Sequence, residues 1–256
     1  MSESPRALLE LAVRVARDAG DLAQRSAAEG RHVKTDEGRD VKIEADNLLD
    51  RFIIERLVAE APLPIVSEES GGEPRDEKAF WIVDPLDGTF NFLRGLPFAC
   101  ISIAVWRAGK PVLGVVHDFA RDECFSGVVG GGAWLNGDTI RPSSVANRAQ
   151  AVLCTGIPLR NTFGSEAARE FIARLRTFKK TRLLGSAALM LSYVACGRAD
   201  AYGENAIALW DVAAGLAIVQ AAGGYVTWRA HEDPKVLDVE ASNGLLAIGQ
   251  DKMVTQ

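Results

Sequence analysis

Between Ala99 and Trp134 the chain consists almost entirely of short apolar runs. "ACISIAVW", "PVLGVVHDF" and "ECFSGVVG" are separated only by "RAGK" and "ARD", and "NGD" follows Leu135. Runs of strand length joined by links of turn length predict an antiparallel meander. The glycines of "GVVGGGAWLNG" fall inside it with no helix following, so they read as hairpin geometry and not as a dinucleotide fingerprint.

Helical patterns flank the meander. Ser4-Pro5 reads as an N-cap followed by proline at the first helical position, and Leu8, Leu11, Val15, Ala19 and Leu22 recur at helical spacing. After a polar, glycine-containing stretch from Glu29 to Asp40, a second helix carries Leu48, Leu49, Phe52, Ile53 and Leu57. "PLPIVSEES" and "AFWIVDP" then read as two strands that each end in carboxylates. Beyond about residue 150 the chain alternates: a strand near "AVLCTG", a helix over 165–177, "TRLLG", a helix over 186–196, "ADAYGE", a helix over 210–222, and strands at "GYVTW" and "LLAIG". A meander followed by alternation predicts an α/β (α+β layered) fold. The expected division is an N-terminal subdomain, 1–145, holding the acidic motifs, and a C-terminal subdomain, 146–256, that shares an interface with it.

Composition narrows the function classes. The 256 residues are 48% hydrophobic, enough for one large core or two fused smaller ones, and the net charge of -5 provides no basic footprint for nucleic acid or an anionic membrane. No apolar run approaches the roughly 18 residues of a membrane span, and "MSESPRALLE" lacks signal-peptide features, so a cytoplasmic protein is expected. Cys100, Cys124, Cys154 and Cys196 are scattered without a Cys-x-x-Cys pair and read as reduced, mostly buried thiols.

The segment "WIVDPLDGTFNF" carries the chemistry. Pro85 removes a backbone donor and biases Asp84 to extended geometry, so the strand is expected to end there in a turn. Gly88 supplies an unusual backbone angle or a close approach, and Thr89 a hydroxyl and a backbone N–H. Taken alone, Asp-Pro and Asp-Gly suit an ordinary surface turn equally well. Acidic residues at three further places shift the balance: Asp46 opens the second helix, Glu68 and Glu69 end the preceding strand, and Asp211 opens the helix "WDVAAGLAIVQAAGG". Ends of elements are where ligands collect in alternating folds. Converging carboxylates repel one another and must protonate or hold cations, and an oxygen-only donor set suits Mg²⁺ or Mn²⁺, with Mg²⁺ the default. Paired divalent ions beside an N–H-rich turn fit phosphoryl chemistry.

"VSEES", "WIVDPLDGTFNF" and "LWDVAAGLAIVQAAGG" stand in the order and near the spacing of one known family, and the chain resembles the inositol monophosphatase family of magnesium-dependent, lithium-sensitive phosphatases over nearly its whole length. The resemblance implies α/β/α/β/α layers, a homodimer and two or three Mg²⁺ ions. It implies that Glu68, Asp84 and the Leu86 carbonyl bind a first metal, that Asp84, Asp87 and Asp211 bind a second, and that Glu68 faces a third. Asp46 and Thr89, with Glu68 among the catalytic set, would position and deprotonate water, and the Gly88 and Thr89 N–H groups would hold phosphate. "RLLGSAALMLSYVACGRADAYGE" resembles the family's substrate-contacting segment, which points to Gly185, Ser186, Ala187 and Glu204, alongside Asp211. Ser186 doubles as a helix N-cap. The expected activity is hydrolysis of a small phosphomonoester, with inositol monophosphate leading because "GTFNF" resembles that branch. Fructose-1,6-bisphosphatase, histidinol-phosphatase and 3'(2'),5'-bisphosphate nucleotidase activities stay open, and a non-catalytic regulatory protein on the same scaffold is the reading from a different class.

Two departures from the family pattern stand out. "DVKIEAD" puts Lys42 and Ile43 where Val-Thr is usual and has Glu44 as an extra acid, and Lys34, in the place of the lysine that the family sets near its outer metal, lies one residue further from Asp46 than usual. "TGIPLRNTFGS" lacks the usual serine pattern and places Arg160 where a second anion could bind. His32, His117 and His231 fall in no motif and read as surface or satisfied histidines, and Trp81 and Trp210 as packing behind the site.

Overall fold

The computed structural model describes residues 4–30, 33–37, 40–74, 78–157 and 164–248. Helix α1 (Pro5–Glu29) begins as its sequence predicts, with Ser4 accepting from the Ala7 N–H at 3.2 Å and Pro5 in the first turn. The stretch expected to be a polar connection instead contains a small antiparallel hairpin, β1 (Val33–Glu37) and β2 (Asp40–Ile43), which leads directly into α2 (Glu44–Glu60). Leu49, Ile53 and Leu57 of α2 are fully buried, whereas Leu48 is exposed on the helix's outer side.

The meander forms most of a seven-stranded sheet. Its order is β3 (Ile65–Ser67), β4 (Phe80–Asp87), β5 (Cys100–Arg107), β6 (Lys110–Asp118), β7 (Glu123–Val128), β8 (Gly132–Leu135) and β9 (Asp138–Thr139). Only β3 and β4 run parallel. Period-two alternation divides β4 between two cores. Trp81 and Val83 face α1 and α2 with Leu49, Ile53, Ile101 and Val115, while Phe80 and Ile82 face the opposite layer.

The second half contributes β10 (Val152–Cys154), α4 (Ser165–Arg176), β11 (Lys180–Arg182), α5 (Ala187–Ala195), β12 (Ala201–Ala208), α6 (Leu209–Ala221), β13 (Tyr225–Ala230) and β14 (Val236–Ser242). Its five strands form a mixed sheet in the order β11-β10-β12-β14-β13. Helices α5 and α6 lie between the two sheets, in a core that includes Ile82, Val116, Phe125, Leu189, Leu216, Tyr202 and Val239. This core draws on both sides of the 145/146 boundary. On the far face of the second sheet, Leu153, Ala201, Phe178 and Leu246 pack with Leu175 of α4. The layers are therefore α/β/α/β/α.

Helix α6 sits on the first sheet without an intervening side chain at Gly114. A Cβ there would lie 2.3 Å from the Ala214 carbonyl oxygen. The close contact needs glycine, and it fixes the height of the helix that carries Asp211.

Two further expected features differ. The final strand is "VLDVEAS" and not "LLAIG": β14 pairs with β12 on one side and β13 on the other, and the chain then turns around Asn243, whose Oδ1 accepts from Leu245 and Leu246 N–H. Leu246 and Ile248 are buried without joining the described ladder. The second difference is that β4 does not stop at Asp84-Pro85, and the site depends on that continuation.

Candidate active site

Strand β4 continues to Asp87 by way of a β-bulge. Asp84 is paired with Ser102 and Asp87 with Cys100, so three steps on β4 oppose two on β5. Proline is tolerated at a bulge because the ladder is interrupted there. In a regular strand, residues three apart point to opposite faces. The extra residue cancels that inversion and leaves both aspartates on the Ser102 and Cys100 side, facing the helices of the second half.

Both carboxylates are buried, but their surroundings differ. Asp84 Oδ1 accepts from the Leu86 N–H at 3.0 Å. Burial pushes its carboxyl well above the usual carboxylate range, and the charges of Glu68, Asp87 and Asp211 push it further. Asp87 Oδ2 accepts from Ser186 Oγ at 2.6 Å and the Ala188 N–H at 2.8 Å, with the Cys100 thiol at 3.7 Å. Burial pushes Asp87 up to about 6, and those donors limit the rise. Cys100, which sequence reasoning treated as a buried apolar residue, thus belongs to the surroundings of Asp87. Its own thiol is pushed well up, by burial first and by Asp87 next.

The other expected residues gather around this pair. Glu68 follows β3 and donates its N–H to Val83 O at 3.2 Å, beside Asp84. Asp211 lies in the first turn of α6. Asp46, in the first turn of α2, accepts the Ile43 N–H at 2.7 Å, and Thr89 Oγ1 lies between Asp46 Oδ1 at 3.4 Å and Leu86 O at 3.0 Å. The Leu86 carbonyl, an expected metal donor, therefore accepts a hydroxyl. Gly88 opens the short helix α3 (Thr89–Arg94) at φ 87°, and a Cβ there would meet Phe98 O at 2.5 Å, so the position demands glycine on both counts.

Across the interface, Ser186 caps α5, accepting from Leu189 N–H at 3.3 Å while donating to Asp87. The capping role is real and the same hydroxyl orients an acid. Gly185 is exposed beside it at φ 73°, and Ala187 opens the helix. Asn91, which no local motif marks, donates from Nδ2 to Phe98 O at 2.9 Å and Leu184 O at 2.8 Å, tying α3 to the segment before Gly185. Glu204 is 9% exposed, and Tyr202 Oη donates to it at 2.9 Å. Burial pushes Glu204 up to about 7, and the nearby charge of Asp87 adds to the shift.

Other expectations separate from the site or lie outside the described residues. Arg160 and His32 are outside them. Lys34 Nζ donates to Asn47 Oδ1 at 3.2 Å, and Glu44 is exposed at the start of α2. Trp81 packs behind the site with Nε1 donating to Ala61 O at 3.2 Å. His231 pairs with Asp238 at 2.7 Å. His117 corrects the expectation of a surface or satisfied histidine: it is buried beneath α1, and its Nδ1 has no hydrogen-bond partner among the described residues.

Chemically, the cluster is a set of oxygen donors whose mutual repulsion favours a hard cation. No three His, Cys, Asp or Glu side chains among the described residues form a closed group around one point, a sparse carboxylate set of the kind Mg²⁺, which keeps several waters, accepts. The donor chemistry and the repulsion recorded at Asp84 fit Mg²⁺.

Comparison with known proteins bears on the chain as a whole. A model of the inositol monophosphatase family matches residues 4–253. The chain is 36% identical over 249 residues to the Nus factor SuhB of Xylella fastidiosa, covering 96% of this chain and 90% of that one. It is 37% identical to the inositol-1-monophosphatase of Mesorhizobium japonicum, covering 86% and 85%. The crystal structure of the extragenic suppressor protein SuhB from Bartonella henselae superposes with a TM-score of 0.83 at 32% identity, covering 93% of this chain and 95% of that one. A match that spans almost every element described above, together with the shared layered fold, means that the chain belongs to the inositol monophosphatase family.

Proposed function

We propose that this protein is a Mg²⁺-dependent phosphatase of small phosphomonoesters, with inositol monophosphate as its leading substrate. The observation that carries the reading is the bulge at Pro85, which turns Asp84 and Asp87 to one side, with Asp84 within electrostatic reach of Glu68, Asp87 and Asp211. Glu68, Asp84 and the Leu86 carbonyl would hold one Mg²⁺; Asp84, Asp87 and Asp211 a second; and Glu68 a third. When bound, these ions supply the positive charge that phosphoryl transfer requires. Asp46 takes the proton of the attacking water, and Thr89, hydrogen-bonded to Asp46, orients it. The Gly88 and Thr89 N–H groups bind phosphate oxygens. Gly185, Ser186, Ala187 and Glu204 meet the hydroxyls of the leaving group, and Glu204, pushed up to about 7, can donate or accept there near neutrality. We further infer a homodimer in the cytoplasm; no helix among the described residues is long and apolar enough to cross a membrane.

The test is a panel of inositol monophosphates, fructose 1,6-bisphosphate, histidinol phosphate and 3'-phosphoadenosine 5'-phosphate, assayed for phosphate release with and without Mg²⁺ and Li⁺. Mg²⁺-dependent, Li⁺-inhibited release that is fastest from inositol monophosphate is expected. No release from any member would overturn the proposal.

A second reading rests on the relatives named Nus factor SuhB, which suggest a regulatory role on the same scaffold. Asp87→Asn separates the two. A cellular phenotype that persists once phosphate release is lost favours regulation.

A further inference from the structure

Helix α2 carries two buried acids one turn apart. Asp46 faces Thr89. Asp50, 4% exposed, faces the turn that carries Glu68 and Glu69 and falls in no motif. Its two oxygens are divided between the turn's flanks: Oδ1 accepts the Ser67 hydroxyl and Oδ2 the Ser70 hydroxyl. The turn itself is closed by reciprocal backbone bonds, Ser67 N–H to Gly71 O at 2.8 Å and Gly71 N–H to Ser67 O at 3.0 Å. Beyond Ser67, the Glu68 N–H reaches Val83 O at 3.2 Å, so this backbone is also tied to the strand that delivers Asp84.

We propose that Asp50 is a positioning residue that clamps the Ser67–Gly71 turn against α2 and thereby aims Glu68 at the metal centre. The geometry gives the carboxylate a specific task. Two hydroxyls that bracket a pair of acids are drawn to one negative group on a rigid helix, at the i+4 position from Asp46. The helix that presents the residue acting on water therefore also fixes the expected metal ligand. A buried carboxylate serving only to satisfy local donors would leave metal affinity unaffected. Groups that orient a ligand change that affinity by about tenfold or more when removed.

The inference rests on the reading of Glu68 as a metal ligand, and the experiment keeps the two apart. Mn²⁺ binding is measured by electron paramagnetic resonance on the whole protein, freed of metal and without substrate, for wild type, Glu68→Gln, Asp50→Asn and the double variant Ser67→Ala/Ser70→Ala. Circular dichroism checks the fold of each. The double variant removes both hydroxyls and is expected to weaken Mn²⁺ binding about tenfold. Asp50→Asn keeps the shape but loses the charge and is expected to weaken it several-fold, which also covers failure of the double variant to fold. In turnover assays at saturating Mn²⁺ the substrate KM should stay at its wild-type value while the metal requirement rises. Wild-type Mn²⁺ affinity in the folded Asp50 and serine variants, with affinity reduced in Glu68→Gln, would overturn the positioning role alone. Wild-type affinity in all of them would overturn the metal reading of Glu68 and this proposal with it.

Discussion

Glu240 and Asp84 are both carboxylates on sheet strands, removed from most solvent, and they are neutralised in opposite ways. Glu240, on the outer face of the second sheet, receives both guanidinium nitrogens of Arg174, at 2.5 and 2.6 Å. Burial pushes its carboxyl up and the guanidinium pulls it back. Asp84, at the bulge, has three acids as its charged neighbours and a single backbone N–H opposing them. One carboxylate carries its counter-ion within the chain, where it joins α4 to β14. The other is held in a state that a cation from solution would relieve. In this molecule the partner of a buried acid, more than its burial, separates a strut from a binding group.

The largest effect should come from emptying the charge-rich end. Asp87→Asn keeps the acceptor for Ser186 but removes a charge, and phosphate release is expected to fall roughly a thousandfold with the fold intact by circular dichroism. Next is pH. Asp87 and Glu204 have folded-state values raised to about 6 and about 7, so their stabilising contribution is complete below the unfolded carboxylate range and is lost as pH rises through 6 and then 7. Urea denaturation of the metal-free protein should therefore show a loss of roughly 4 kcal/mol between pH 5 and 8. Adding Mg²⁺ at pH 8 should recover most of it. A flat profile would dissolve the contrast between the two regions. Arg174→Ala tests the strut: stability should fall by about 2 kcal/mol, because Glu240 is stranded, with phosphate release per folded molecule nearly unchanged. Smallest is Ser186→Ala, expected to cost about 1 kcal/mol of stability through the lost cap, with a raised Mg²⁺ requirement from the freed Asp87.

Much of this fold can be read from periodicity, and the exceptions have physical causes. The meander, α1 with its Ser4 cap, and the helix after "RLLGS" follow from local pattern. The continuation of β4 does not, because proline ordinarily removes a ladder bond, and only pairing with Cys100 and Ser102 reveals that the interruption is a bulge. Strand β14 is hard to read from the sequence although Leu237, Val239 and Ala241 alternate with Asp238 and Glu240. Its two acids give the run a loop-like polarity, and "LLAIG" is the more apolar neighbour; the structure pairs those acids with Arg229 and Arg174 on the outer side. Within the site, the acids at element ends were visible as types and spacings. Their common meeting place came from the family resemblance. Asn91, Cys100 and Asp50 were not legible, since each acts through a partner distant in sequence and no local spacing marks that partner in advance.

The contact at Gly114 has a consequence for how such a protein can change. With the Ala214 carbonyl resting on bare backbone, the interval between the sheet that bears Asp84 and the helix that bears Asp211 is set by a position with no functional group. A single added methyl there acts as a shim. It would detune the chemistry while every reactive side chain kept its identity, and an inspection confined to those side chains would pronounce the enzyme intact.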